Sequence, residues 1–319
     1  MSRRYPPLNS GPPNPDSTCT RPRQYALPML LSREEMRFDF GGARFDSTRD
    51  RELLRWILSQ FLYGEVTGIQ VGHWLYAAPD LESARFLAKQ AIEELQHVGN
   101  FLKVMQAIGV SPQPAHPVLR FLATGMMGDD WAEHVALEMA TGEGFVLTAF
   151  YALIDTLDQP EAIAILERAA RQEEGHVTFG EQKTMQLLAA NPKLRKELLG
   201  ANLVWMWGVT RLASYVDKHL PREHPVLAQL PLFLSHALRC AETRMLRMGL
   251  CDTPPSSLTA RQRFALLSEF GARKLGGAGL RALKLPLRIF PSGGPKRLTD
   301  TYLDDPTVRA LIEEAGPAA

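Results

Sequence analysis

The sequence predicts an all-α protein in which four long helices form a bundle and further helices follow toward the C-terminus. Apolar residues recur at spacings of three and four through most of the chain after residue 46, which is the pattern of helices with one buried face. Proline and glycine interrupt this pattern between the predicted helices. No stretch alternates polar and apolar residues convincingly, so we expect no substantial sheet.

The first two predicted helices form a hairpin. The first begins near Asp46 or Ser47, either of which can cap it, and ends before Pro79. The second follows directly and ends at Gly109, after which three prolines occur within eight residues. A loop over residues 118–127 then leads to the second half of the bundle.

The third and fourth predicted helices form a second hairpin. The third begins near Asp130, and the fourth carries Pro160 in its first turn, where proline is tolerated. After Pro192 the same apolar spacing predicts at least three more helices. An irregular stretch over 276–295 and a short helix over 305–315 complete the prediction.

These elements suggest three parts. Residues 1–28 are rich in proline and polar residues and are expected to form a flexible arm. Residues 46–191 hold the four-helix bundle, and residues 192–319 hold additional helices that pack on it, with an irregular C-terminal segment.

Composition excludes several classes of protein. The formal net charge of +1 gives no reason to expect nucleic acid as a partner. The three cysteines have no metal-type spacing, and their odd, low number suits a reducing compartment. No apolar run approaches the length of a membrane span, and no apolar stretch follows the basic start, so we expect a cytoplasmic protein.

Two Glu-x-x-His motifs carry the chemistry. Glu94 and His97 lie in the second predicted helix, and Glu173 and His176 lie in the fourth. Residues three apart share one face of a helix, so each pair can bind one metal ion. Random placement of the chain's 21 glutamates and 8 histidines would give roughly 0.5 such motifs.

A repeat strengthens this interpretation. Glu65 lies 29 residues before Glu94, and Glu143 lies 30 residues before Glu173, each after a glycine. The chain therefore repeats a helical hairpin with one lone glutamate and one Glu-x-x-His motif. Two such hairpins folded together would bring four carboxylates and two imidazoles to the middle of the bundle.

This pattern resembles the ferritin-like di-iron carboxylate superfamily, which includes aldehyde-deformylating oxygenases, the tRNA ms2io6A hydroxylase, rubrerythrins and ribonucleotide reductase small subunits. The resemblance covers about residues 48–191 and implies a ferritin-like four-helix bundle. It does not identify one family within the superfamily.

The resemblance also implies a role for each residue. Glu94 and Glu173 would bridge two iron ions, Glu65 and Glu143 would be terminal ligands, and His97 and His176 would each bind one iron. These six residues are therefore the expected metal ligands and catalytic residues. Manganese with iron is an alternative to two irons, since all six ligands serve either metal.

The expected function is O2-dependent oxidation of a small organic substrate. Hydroxylation, N-oxygenation, desaturation and C–C cleavage all remain open, with a ferredoxin or reductase as electron donor and a homodimer as one possible assembly. Aryl-amine N-oxygenases usually have an additional histidine where this chain has Ala169, which disfavours that reaction. The alternatives are a metal-binding or ferroxidase protein without an organic substrate, and a structural protein with a degenerate site.

Some residues beside the motifs have two interpretations. Glu93 and Glu174 are rotated by about 100° from the ligands, so we expect them to face solvent or to support the ligands from outside. Helical spacing places Glu143 in the core and Glu138 at an interface or on the surface. Gly68 and Gly72 indicate either close helix packing or free space beside the metal.

Overall fold

The computed structural model describes residues 28–125, 128, 130–219, 223–277 and 298–314. Within these ranges the chain forms helices and no β-strand, so the prediction of an all-α protein is confirmed. The predicted arm over 1–28 and the predicted irregular stretch over 276–295 lie almost wholly outside the described residues.

The α-helices differ widely in length. They are α1 (Arg33–Met36), α2 (Arg51–Gly68), α3 (Leu81–Ile108), α4 (Pro117–Gly125), α5 (Trp131–Glu133), α6 (Gly144–Thr156), α7 (Pro160–Ala190), α8 (Leu194–His219), α9 (Pro225–Ala228), α10 (Leu230–Arg247), α11 (Ala260–Gly277) and the short helices Leu298–Thr301 and Pro306–Glu314. A 3₁₀ segment, Ile69–Leu75, extends α2, and a π-helix, His134–Glu143, joins α5 to α6.

Four long helical segments enclose the largest apolar core. Leu58 of α2, Phe101 of α3, Phe150 of α6 and Leu166 of α7 are all buried in this core. The Phe101 ring packs edge-on against Phe150, with 5.5 Å between the ring centroids. Each such side chain contributes about 1.5–3 kcal/mol through burial, which makes these contacts the main source of helix packing energy.

Local signals explain the ends of α3 and α7. The Asp80 carboxylate accepts a hydrogen bond from the Ser83 backbone N–H at 2.7 Å and so caps the start of α3. Gly109 ends α3 with a φ of +74°, which glycine adopts without strain. Pro160 occupies the first turn of α7.

The first bundle helix starts later than predicted. The Asp46 carboxylate accepts hydrogen bonds from the backbone N–H groups of Thr48 and Arg49, both at 2.9 Å. These bonds hold a turn, so the helix begins only at Arg51. The predicted loop over 118–127 is also wrong in part, because α4 forms there and packs Leu119 and Ala123 on the core.

The N-terminal segment 28–45 lies across the bundle and is fastened by a buried ion pair. The Arg244 guanidinium of α10 contacts the Glu181 carboxylate of α7 at 2.8 Å, and the Leu30 backbone N–H donates to the same carboxylate at 2.7 Å. The Met36 side chain packs against Arg244 and is also fully buried. One buried pair thus joins the N-terminal segment, α7 and α10.

The segment Trp131–Thr156 is long and apolar enough to cross a membrane by composition, contrary to the sequence-based expectation of no such run. Of its most apolar window, 61% is buried inside the protein, and Glu143 lies within the segment. These features are those of a core helix in the bundle.

Removal of Arg244 should destabilise the protein strongly. Arg244→Met leaves the Glu181 carboxylate buried without its counter-charge, and the free energy of unfolding should fall by about 3–5 kcal/mol in urea titrations. Arg247→Met is the matched control, because its ion pair with Glu35 is exposed and its loss costs about 0–1 kcal/mol. Equal decreases in the free energy of unfolding of the two variants would contradict this account of the buried pair.

Candidate metal centre

The structure brings the six predicted ligands together inside the bundle. The ligand atoms of one group lie within 4.8 Å of one another, and a second group shares one of its carboxylates. The first group is Glu65, Glu94, His97 and Glu173, and the second is Glu94, Glu143 and His176. Such a buried cluster of carboxylates and imidazoles can hold a metal ion.

Two of the carboxylates span the cluster. Glu94 Oε2 lies 3.6 Å from His97 Nδ1, and Glu94 Oε1 lies 3.3 Å from His176 Nδ1. Glu173 Oε1 lies 2.8 Å from His97 Nδ1, and Glu173 Oε2 lies 3.3 Å from His176 Nδ1. Each carboxylate therefore directs one oxygen toward each imidazole, the arrangement that two adjacent metal positions with shared ligands require.

The outer nitrogens of the two histidines are held by hydrogen bonds across the helix pair. His176 Nε2 donates to Glu93 Oε2 at 3.0 Å, and a carboxylate can only accept. His97 Nε2 pairs with Gln172 Oε1 at 2.9 Å, while Gln172 Nε2 donates to Glu93 Oε1 at 3.4 Å. Both imidazoles thus carry a proton on the outer nitrogen, which leaves Nδ1 as the nitrogen that faces the cluster.

These contacts decide between the two interpretations of the neighbouring glutamates. Glu93 is buried and supports His176, so it does not face solvent. Glu174 is half-buried and pairs instead with Arg33, at 2.8 Å, and with the Tyr151 hydroxyl. Sequence reasoning missed Gln172, although Glu93 and Gln172 each directly precede a ligand glutamate and follow the same repeat.

Burial of four carboxylates in one cluster shifts the pKa values of the glutamates and histidines there. Burial raises the pKa of Glu65 to about 8 and raises the pKa of Glu143 well above its ordinary value. Burial also disfavours the charged form of Glu173, but His176 and His97 outweigh it and hold the pKa of Glu173 at about 2. The pKa values of both histidines rise because the carboxylates favour their protonated forms despite burial.

The donor set fits a bound cation. In the described structure, Glu143 Oε2 is inaccessible to solvent and has no hydrogen-bond partner, and the buried His176 Nδ1 faces Glu94 and Glu173 oxygens at 3.3 Å. Buried polar atoms without partners are costly, and a metal ion between them would satisfy both. Glu143 Oε1 is held by Gln90 Nε2 at 2.9 Å, which leaves Oε2 directed to the cluster.

The π-helix changes which residues share a face with Glu143. His134 lies nine residues before Glu143, which is 2.5 turns of an α-helix but roughly two turns of the wider π-helix. Glu138 lies between them, accepts from His134 Nδ1 at 3.0 Å, and its charge acts on Glu143. Glu138 is partly buried, which is compatible with the predicted position at a helix interface.

Gly68, and not Gly72, makes the close approach at the site. A Cβ at Gly68 would lie 2.6 Å from Glu94 Oε2, whereas a Cβ at Gly72 would have no heavy atom within 4 Å. The absence of a side chain at Gly68 thus gives the Glu94 carboxylate its place between the two histidines.

No protein-family model, no curated protein and no solved structure matches the chain. What supports the resemblance to di-iron proteins is the all-helical fold together with a buried Glu and His cluster that can hold a metal ion.

Gly68→Ala should weaken metal binding without unfolding the protein. The added methyl group would displace the flexible Glu94 carboxylate rather than backbone, and we expect a loss of about 10-fold or more in affinity. Gly72→Ala is the matched control and should bind metal as the wild type does. Calorimetric titration with Co²⁺ and thermal unfolding measure both effects, and unchanged affinity in Gly68→Ala would contradict the assignment of Glu94.

Metal uptake should release protons and weaken as the pH falls. A ligand must lose its proton before it binds a metal, and the pKa of Glu65 is about 8. Below that pH a growing fraction of Glu65 is protonated in the metal-free protein, so affinity should decrease and more protons should be released per ion. Calorimetry in buffers of different ionisation enthalpy measures the proton count; an affinity independent of pH between about 6 and 8 would contradict the site.

Proposed function

We propose that the protein is a ferritin-like di-iron oxidoreductase that uses O2 to oxidise a small organic substrate. The observation that carries this proposal is the pair of spanning carboxylates, Glu94 and Glu173, between two inward-facing imidazole nitrogens. This arrangement supports two adjacent metal positions rather than one. The packing of α2, α3, α6 and α7 around one core supports the ferritin-like bundle.

The chemistry of the donor set supports iron. Carboxylate oxygens with one imidazole nitrogen at each position suit iron or manganese, and no cysteine belongs to either ligand group found among the described residues. Glu65 and His97 would hold one ion, Glu143 and His176 the other, and Glu94 and Glu173 would bridge them. When bound, a pair of iron ions supplies the electrons and open coordination positions that O2 reduction needs. A mixed manganese and iron pair is equally compatible.

The surroundings of His176 support an organic substrate. Phe86 stacks on Phe179 with 3.9 Å between the ring centroids and packs edge-on against His176 at 6.3 Å. Val71 and Met139 belong to the same buried cluster. These apolar side chains exclude water beside the proposed metal position and would favour an apolar portion of a substrate there.

In this proposal the chain's own residues bind the metal ions, orient the ligand side chains and hold protons. Glu93 and Gln172 fix the two imidazole rings, and Gln90 fixes the Glu143 carboxylate. A small-molecule substrate, a ferredoxin or reductase as electron donor and a cytoplasmic location complete the proposal, which allows a homodimer. The reaction class remains oxidation by hydroxylation, desaturation, N-oxygenation or C–C cleavage.

One observation favours the alternative, a metal-binding or ferroxidase protein without an organic substrate. Glu138 is partly exposed and accepts from the Gly128 backbone N–H, while its charge acts on the buried Glu143. Its carboxylate would place a negative charge between the surface and the cluster, and this charge would assist the entry of iron ions.

An oxygen pulse on anaerobically Fe(II)-loaded protein tests the proposed function. We expect two Fe(II) to be oxidised per chain, after which oxidation stops until a reductant is added. His97→Ala and His176→Ala should abolish the fast oxidation, whereas His73→Ala, at an exposed position, should retain it. Repeated oxidation of many Fe(II) per chain would favour the ferroxidase alternative, and no iron uptake would contradict both.

A further inference from the structure

The two histidines of the cluster are held from outside by different chemical groups. His176 Nε2 donates to the Glu93 carboxylate at 3.0 Å, and His97 Nε2 donates to the Gln172 amide oxygen at 2.9 Å. Glu93 and Gln172 hold equivalent places in the repeat, because each directly precedes a spanning glutamate. One acceptor carries a negative charge and the other does not.

The difference matters for the strength of each ligand. A hydrogen bond to a carboxylate is roughly twice as strong as one to a neutral acceptor. It also makes the opposite imidazole nitrogen a better electron donor to a metal. Lys89 pairs with the other oxygen of Glu93 at 2.7 Å, but Lys89 is 58% exposed. Solvent screens its charge, so the carboxylate still acts on His176.

The remaining ligands of the two positions are alike in type. Each position has one histidine and one lone glutamate, and Glu94 lies in both ligand groups. Glu173 belongs to the group at His97, and its Oε2 also lies 3.3 Å from His176 Nδ1. Gln90 donates one hydrogen bond to Glu143 Oε1, yet it is neutral and leaves Oε2 free. The charged acceptor behind His176 is therefore the main difference between the hydrogen bonds that hold the two histidines.

We propose that the two metal positions have unequal affinities and that Glu93 makes the position at His176 the tighter one. The first metal ion then binds beside His176, and the second binds beside His97 and Glu65. This inference rests on the metal site in the proposed function. It assigns Glu93 and Gln172 as positioning residues that set the order of metal loading.

Exchange of the two outer residues offers a balanced variant. In Glu93→Gln/Gln172→Glu the carboxylate and amide change places, with the same net charge and the same side-chain lengths. The amide oxygen at position 93 can accept from His176, and its NH₂ group faces the carboxylate at position 172, which accepts from His97. The hydrogen bonds of both histidines and the bond between positions 93 and 172 thus keep a donor and an acceptor. Lys89 loses its ion pair with Glu93, and Gln96 loses the hydrogen bond from Gln172.

The test uses the full-length protein, freed of metal, with Co²⁺ as the probe. Crystals with one equivalent of Co²⁺ locate the ion by anomalous scattering, and solution titration gives the two affinities. In the wild type, the single ion should lie beside His176. In the exchanged variant it should lie beside His97. Glu93→Gln alone should weaken the tighter step about 10-fold.

Glu174→Gln is the matched control. It makes the same chemical change beside a ligand glutamate, but Glu174 contacts Arg33 and Tyr151. The loading order should be unchanged in this variant.

Equal occupancy of both positions in the wild type, or the same order in the wild type and the exchanged variant, would overturn the inference and leave the proposed function standing. Failure to bind any Co²⁺ at the cluster would overturn both.

Discussion

The structure depends on one electrostatic constraint: four glutamates share a small interior volume with only two histidines to balance them. Glu65, Glu94 and Glu173 are each at most 4% exposed. Burial of such groups is tolerated only with compensating charge and hydrogen bonds. Two divalent cations would provide that charge at one point, so the bundle is best understood as a framework that holds this cluster in place.

The surrounding helices give the cluster its orientation. Glu93 and Gln172 join α3 to α7 through the histidines, and they direct both Nδ1 atoms inward. Gly68 lets α2 approach Glu94, and Gly180 lets α7 approach the backbone of the π-helix at Ala140. Close backbone approach and hydrogen bonds between helices therefore determine ligand positions that no single helix could determine alone.

Local sequence signals predicted the parts of the molecule that depend on local interactions. Pro79 and Gly109 indicated the limits of α3, and the first-turn Pro160 indicated the start of α7. The three-residue spacing and the repeat predicted which six side chains would meet. The π-helix was missed because apolar spacing does not show a local change in the number of residues per turn. In the structure its backbone lies close to Gly180 of α7. Whether Glu93 faces solvent or supports a ligand was left open for a similar reason, since its partner His176 is 83 residues away.

A crystal structure of the Fe(II)-loaded protein, with data collected at the iron absorption edge, tests the central claim most directly. We expect two anomalous peaks inside the bundle, one at Nδ1 of His97 and one at Nδ1 of His176, with Glu94 and Glu173 contacting both. A protein that takes up no iron at this cluster, or that binds it through the outer Nε2 atoms or on the surface, would contradict the account.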